Sequence, residues 1–487
     1  MPTLRLVLAC LLSSALSAQG PTPKTEAELD QQVTGILIGY ARSAETSKLP
    51  SMARDAYRLI VAHYDRDHAA ARAALGQEQL DGEWRQATPR ERLPADTGTP
   101  AQRKSTQTAW RRVQKRLGKL HKDLGLALRN GGFEARAQFQ LRRALAFVPD
   151  DVAVHDALGH ETFEGFRGSA EQIAFVKRMR EIRAEAAAIA SMEFEVEQLD
   201  ASQLPKELAA TGISFAGARS QHSTWWVAGE FAEARDCALW SERGLRLLQW
   251  LFGEDPDVRK RLQDRPSRWV VVLRSRDQRN VLLTNSPSTR DGDTLERAQL
   301  FGGHGFPSGG GRAEWSWHDR SEDADHAVAH VTKRGAPWFN HPLGEGLVHT
   351  MTWLLCGSLH TSYMQLAATE GEKEERSRDP AQCLAALRAA IENGEDWPLA
   401  WIPRERSDNF RNPARYKSWS FVTWLLARHP DEWVWVLADL QEETLSEDDV
   451  RETVAALLHR DFDEIEAEWR EWARAGSTIG KASGLPQ

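Results

Sequence analysis

The sequence predicts a mostly helical α+β protein in two parts. An all-α region covers residues 21–200, and a domain with a small sheet and a helical C-terminal half covers 201–480. Three observations predict this. A pattern of alanines, Leu-Gly and Asp/Glu-Gly recurs within the first third. Seventeen of the nineteen tryptophans lie at or beyond Trp225. Short extended runs then precede a long stretch with helical apolar spacing.

The first twenty residues, MPTLRLVLACLLSSALSAQG, place one arginine before an apolar run that ends in small residues. This is the pattern of a signal peptide, cleaved near 17–20, and it predicts a secreted or periplasmic protein. No later segment holds about 18 uninterrupted apolar residues, so no membrane span is expected. The net charge is -8, from 62 basic and 70 acidic residues. That balance gives no ground for a nucleic-acid partner, and the basic run Arg111–Lys122 reads as the solvated face of a helix. Beyond the signal peptide stand Cys237, Cys356 and Cys383. Three thiols cannot all pair internally and none forms a C-x-x-C unit, so all three are read mainly as small apolar residues.

Residues 67–82, DHAAARAALGQEQLDG, match 150–165, DDVAVHDALGHETFEG, at a constant offset. This is an internal repeat. Ahead of its second copy lies LHKDLGLALRNGGFEARAQFQLRRALAFVPDD. This stretch resembles a tetratricopeptide repeat, with Leu124, Gly125, Ala137, Ala144 and Pro149 at the small and apolar positions. Asn130-Gly131-Gly132 marks the turn between two helices. The resemblance implies paired helices in close approach and a scaffold or peptide-binding role, and with so few repeats equally a packing role for the neighbouring domain. A further long helix is expected over 170–199.

In the second part, Ser223–Ala228, Arg268–Leu273 and Arg312–Trp317 read as strands. An amphipathic helix is expected over Ala232–Phe252, between the first two. The glycine-rich run Gly302–Gly311 has no Lys-Ser/Thr ending and precedes a strand. It is therefore not a phosphate loop, and it reads as a mobile connection. Helices are expected around His326–Lys333, Gly344–Cys356, Pro380–Asn393, Ser418–Arg428, Asp431–Leu440 and Asp461–Ala475.

Seven of the fifteen histidines fall between His304 and His360. His326 and His330 lie four apart, on one helix face, where two imidazoles can share a metal ion. Glu345 follows at the start of the next helix and is the candidate third ligand, leaving the fourth position of a catalytic zinc to water. Set against this is the plain alternative, ordinary core and capping histidines.

The stretch from about 220 to 475 resembles the gluzincin type of zinc metallopeptidase domain. The resemblance runs in order through STWWVAGEFAEARDCALWSERGLRLLQWLFG, RWVVVLRSRDQ, HAVAH in place of H-E-x-x-H, GEGLVH, YKSWSFVTWLL and IEAEWREWA. It implies zinc held by His326, His330 and Glu345; Tyr416 stands, by position alone, as an oxyanion-side group or, as the favoured alternative, an anchor of its helix beside Trp419. It also implies a peptide or protein ligand. Ala327 falls where such enzymes carry the general-base glutamate. A methyl group can neither take nor return a proton, so hydrolysis is expected to fall by roughly 10²–10⁴ or more. Glu322, Asp325, His341 and His349 are nearby candidates for a substitute base, ligand or supporting group. The favoured reading is an inactive or weakly active peptidase homologue. An active zinc endopeptidase with a relocated base and a metal-free helical interaction protein stand as alternatives. If the site is otherwise intact, Ala327→Glu is expected to raise hydrolysis.

Overall fold

The computed structural model describes residues 23–87, 94–253, 269–285, 305–308, 313–317, 320–335, 341–359, 378–393, 396, 398–404, 412–440, 445–474 and 478–486. The expected signal peptide lies outside them. The chain is mostly helical with small sheets, and it divides into two compact units, 1–173 and 174–487.

In the first unit, α1 (Glu26–Thr46) and α2 (Pro50–His63) pack together, followed by the short α3 (Ala69–Ala74). Strands β1 (Gln77–Leu80) and β2 (Glu83–Gln86) come next, then α4 (Pro100–Asn130), α5 (Glu134–Phe147) and α6 (Val152–Ala157), then β3 (Glu161–Phe163) and β4 (Phe166–Gly168). Helices α4 and α5 pack closely, as the small residues require. A Cβ on Gly125 would stand 2.8 Å from the Leu141 side chain, and one on Gly118 2.6 Å from Val148. Leu124, Ala137 and Ala144 are all buried.

The expectation of an all-α region is corrected by the repeat itself. Each copy is a short helix followed by a two-stranded antiparallel hairpin, β1–β2 or β3–β4. The turn residues are Asp81-Gly82 (φ 54° and 84°) and Glu164-Gly165 (φ 46° and 84°). A two-residue hairpin loop of the mirror-image type I needs positive φ at both central positions, for which Asp-Gly is a preferred pair.

The second unit takes in most of α7 (Ala170–Ala190) and a mixed sheet. Its strands are β5 (Glu197–Leu199), β6 (Ala216–Arg219), β7 (Thr224–Val227), β8 (Trp269–Leu273), β9 (Gly305–Ser308) and β10 (Ala313–Trp317), in the order β5-β6-β7-β8-β10-β9. Strands β7, β8 and β10 are mutually parallel, and β9 returns antiparallel on β10. The crossover from β7 to β8 contains α8 (Phe231–Phe252). Period-two alternation sorts the side chains: Trp225, Val227, Val270 and Val272 face one apolar cluster, and Trp226, Val271 and Leu273 another. Within the run expected to be a mobile connection, residues 305–308 form a strand, whereas the other residues of 302–311 lie outside the described ones. Pro307 is tolerated because β9 ends the sheet, where a missing N–H breaks no central ladder.

Beyond the sheet come α9 (Arg276–Asn285), α10 (Asp323–Gly335), α11 (His341–Cys356), α12 (Pro380–Asn393), α13 (Asn412–Arg428), α14 (Trp433–Asp439), α15 (Glu447–Leu458) and α16 (Phe462–Ala473). Helix α15 was not anticipated. Its start is marked by a capping box, Ser446 with Asp449. Cys237, Cys356 and Cys383 are all free thiols, the first and last buried. No helix among the described residues is long and apolar enough to cross a membrane.

Candidate functional site

Helix α10 carries both histidines and packs between α8 and α11. Gly244 of α8 makes the first crossing close, since a Cβ there would lie 2.6 Å from Val331 Cγ1. The N-terminus of α10 is anchored by its own acidic residues. Arg274, just past β8, donates to Asp323 at 2.6 and 2.7 Å and to Glu233 at 2.8 and 3.1 Å. Asp325 accepts from Ser358 Oγ at 2.6 Å and from Arg378, which also pairs with Glu322 at 2.9 Å. Carboxylates in the first helical turn also suit the helix dipole. Glu322 and Asp325, the candidate substitute bases, thus both hold cations.

His330 is buried, and His326 is partly exposed. Both imidazoles stand edge-on to one indole. The ring centroid of Trp225 is 6.1 Å from that of His326 and 5.5 Å from that of His330. Strand β7 therefore supplies the floor against which the pair is set. Ala327, between them in sequence, is fully buried in the apolar cluster of Trp225, Cys237, Ala238, Val270 and Val272.

Glu345 is 1 % exposed in the first turns of α11. Its Oε2 lies 3.4 Å from Lys333 Nζ, one turn beyond His330 on α10. Among the described residues, no group of three or more His, Cys, Asp or Glu side chains is arranged to hold a metal ion. The structure brings the two imidazoles onto one indole and brings Glu345 onto α10 through lysine.

The next residue, Gly346, packs α11 on α13. A Cβ on Gly346 would meet Ser418 Oγ at 2.5 Å and Ser418 O at 2.7 Å, so α11 and α13 cross with their backbones nearly touching. Ser418 Oγ donates to Pro342 O at 2.6 Å, and Thr350 meets Thr423 at 2.9 Å. His349 is buried and donates from Nδ1 to the Glu345 carbonyl at 2.7 Å. Burial lowers its pKa to about 4 and keeps the ring neutral, with the Glu345 charge opposing the shift. The side chain of His341 lies outside the described residues. Tyr416 is buried, with the Arg415 guanidinium 5.3 Å from its ring centroid.

Sequence reasoning passed over Lys333 and Arg415. The signals were spacings: Lys333 lies three residues after His330, and Arg415 and Trp419 lie four apart on α13.

No family model matches the chain, and neither a curated protein nor a solved structure matches it.

Proposed function

We propose that this chain is an exported protein whose second unit is a gluzincin-like domain that binds peptides or proteins without cleaving them. Its first unit adds tetratricopeptide-like helices. The observation that carries this reading is Ala327. Its methyl group is packed among Trp225, Val270 and Val272 at the position where such a peptidase needs a proton carrier. Two further observations support it. Glu322 and Asp325, the acidic candidates for a substitute base, are taken up by Arg378. His349 is buried against a backbone carbonyl and held neutral.

The Lys333–Glu345 pair favours a second reading, in which the domain is an interaction protein that takes up no metal. Zinc, where it binds, would use His326, His330 and Glu345 in competition with Lys333.

Incubating the full-length protein with a mixed peptide pool, followed by mass spectrometry of retained and released material, tests the proposal. Retained peptides of unchanged mass are expected. Defined fragments that vanish with a chelator would establish catalysis, and a pool with nothing retained would end the binding claim.

A further inference from the structure

The two copies of the repeat tie helix to hairpin by the same link, built from different side chains. In the first copy, Arg72 of α3 donates from Nε to the Arg66 carbonyl at 2.8 Å and from Nη1 to Gln77 Oε1 at 2.8 Å. Gln77 opens β1. In the second copy, the matching positions hold histidines. His155 of α6 meets the Pro149 carbonyl through Nε2 at 2.7 Å. Its Nδ1 stands 2.8 Å from Nδ1 of His160, the residue before β3. Both short helices end on Leu-Gly with the glycine at positive φ, 74° at Gly76 and 69° at Gly159. The chain then turns back on the helix, and the His160 N–H donates to the His155 carbonyl at 3.0 Å.

The two links differ in their protons. An Nε2 that faces a carbonyl oxygen must carry a hydrogen, so neutral His155 has a bare Nδ1, and His160 supplies the bridging hydrogen from its own Nδ1. A first added proton can enter on His160 Nε2 and leave the bridge in place. A second has only His155 Nδ1 to enter, which would set N–H against N–H across 2.8 Å. Arg72 and Gln77 carry no such limit, because neither changes charge near neutral pH. The surrounding charges act the same way. Arg142 of α5 adds positive charge beside His160, and Arg129 of α4 donates to the Ala157 carbonyl. Asp151 is paired with Lys122 of α4 at 2.9 Å and Asp156 with Arg167 of β4 at 3.0 Å, while Glu161 on β3 is exposed. Burial first, then the charges of His155 and Arg142, lower the His160 pKa to about 4.

We infer that His155 and His160 form a pH-sensitive latch on the hairpin β3–β4. With one added proton or none, the pair bridges α6 to the start of β3. With both rings charged the bridge opens and the first strand is released. The hairpin is then held by buried Phe166 and by the Arg167–Asp156 pair, whose exposed side chains make it weak. A released hairpin takes up both protons near the ordinary 6.5, whereas the latched one refuses the second until about 4. Latching is therefore complete above about pH 6.5 and is lost as pH falls towards 4. The Arg72–Gln77 link is the same device made insensitive to pH.

Hydrogen–deuterium exchange of the full-length protein tests the latch, read by mass spectrometry on residues 158–169 and corrected for the intrinsic effect of pH on exchange. Protection of that segment should fall by about tenfold per pH unit between about pH 6.5 and 4.5. His160→Gln should remove this dependence, because an amide can donate to a neutral His155 or accept from a charged one. The double variant His155→Arg with His160→Gln copies the Arg72–Gln77 link and decides the matter if His160→Gln does not fold. Wild-type protection that stays level across the interval, or that falls equally in the variant, would overturn the latch. An equal loss of protection over α4 and α5 would also overturn it, because the whole unit would then be unfolding.

Discussion

Lys333 Nζ lies 3.4 Å from Glu345 Oε2 and joins α10 to α11 through an ion pair. The ammonium stands one turn past His330, on the helix that carries both imidazoles. It therefore engages the carboxylate that a zinc site would draw on.

Lys333→Met should change zinc affinity and stability in opposite directions. Removing a competing interaction of about 1.4 kcal/mol would tighten zinc binding about tenfold, measured by competition with a fluorescent chelator. The metal-free protein should lose about 1–2 kcal/mol, because Glu345 is buried. The loss is smaller than for a fully buried pair, since the Lys333 side chain is 44 % exposed. Zinc affinity that is unchanged or weaker in Lys333→Met would contradict the competition.

Gly346→Ala should separate α11 from α13. The added methyl group would stand 2.7 Å from the Ser418 carbonyl oxygen, which belongs to helix backbone and cannot turn aside. A loss of roughly 1–3 kcal/mol is expected, read as a fall in denaturation midpoint. A neutral result would mean that the helices do not cross at this residue.

Ala327→Glu should destabilise the protein and restore no activity. The carboxylate would enter the apolar cluster of Trp225, Cys237, Ala238, Val270 and Val272. An uncompensated buried charge costs roughly 3–5 kcal/mol. The sequence-based expectation that this change raises hydrolysis was conditional on an otherwise intact site, and Ala327 is fully buried. Thermal denaturation, with the wild-type protein alongside, checks the stability claim.

Stability should also fall on mild acidification. His349 titrates near its ordinary 6.5 in the unfolded chain and at about 4 in the folded one. Between those values the unfolded chain binds a proton that the folded protein refuses. Stability from this residue is thus complete above about pH 6.5 and is lost as pH falls towards 4, a change on the order of 3 kcal/mol. His121 and His429, also lowered to about 4 chiefly by burial, act in the same direction. His349→Gln should reduce the slope of stability against pH over that interval, and an unaltered slope would contradict the assignment.

Much of the second unit was legible because its elements are locally determined. Trp269–Leu273 is β-branched and apolar and is a strand, and the amphipathic spacing of Phe231–Phe252 marked its helix. The hairpins of the first unit were missed although Asp81-Gly82 is a turn pair, because the alanines ahead of it drew the whole repeat into a helical reading. Four-residue strands give too short an alternation to outweigh that. The candidate site was legible in part. The spacing of His326 and His330 placed them on one face, and Trp225 receives both. The Lys333–Glu345 pair follows from the packing of α10 on α11, and such contacts leave no trace in spacing. The burial of Ala327 in the sheet-side cluster was hidden for the same reason.

The most direct test of the central claim is the rate of cleavage of a quenched fluorescent peptide by the wild-type protein in excess zinc, with and without chelator. With Ala327 in place of a proton carrier and Glu345 paired to Lys333, no chelator-sensitive cleavage above the buffer rate is predicted. Turnover that requires zinc and disappears with chelator would contradict the account.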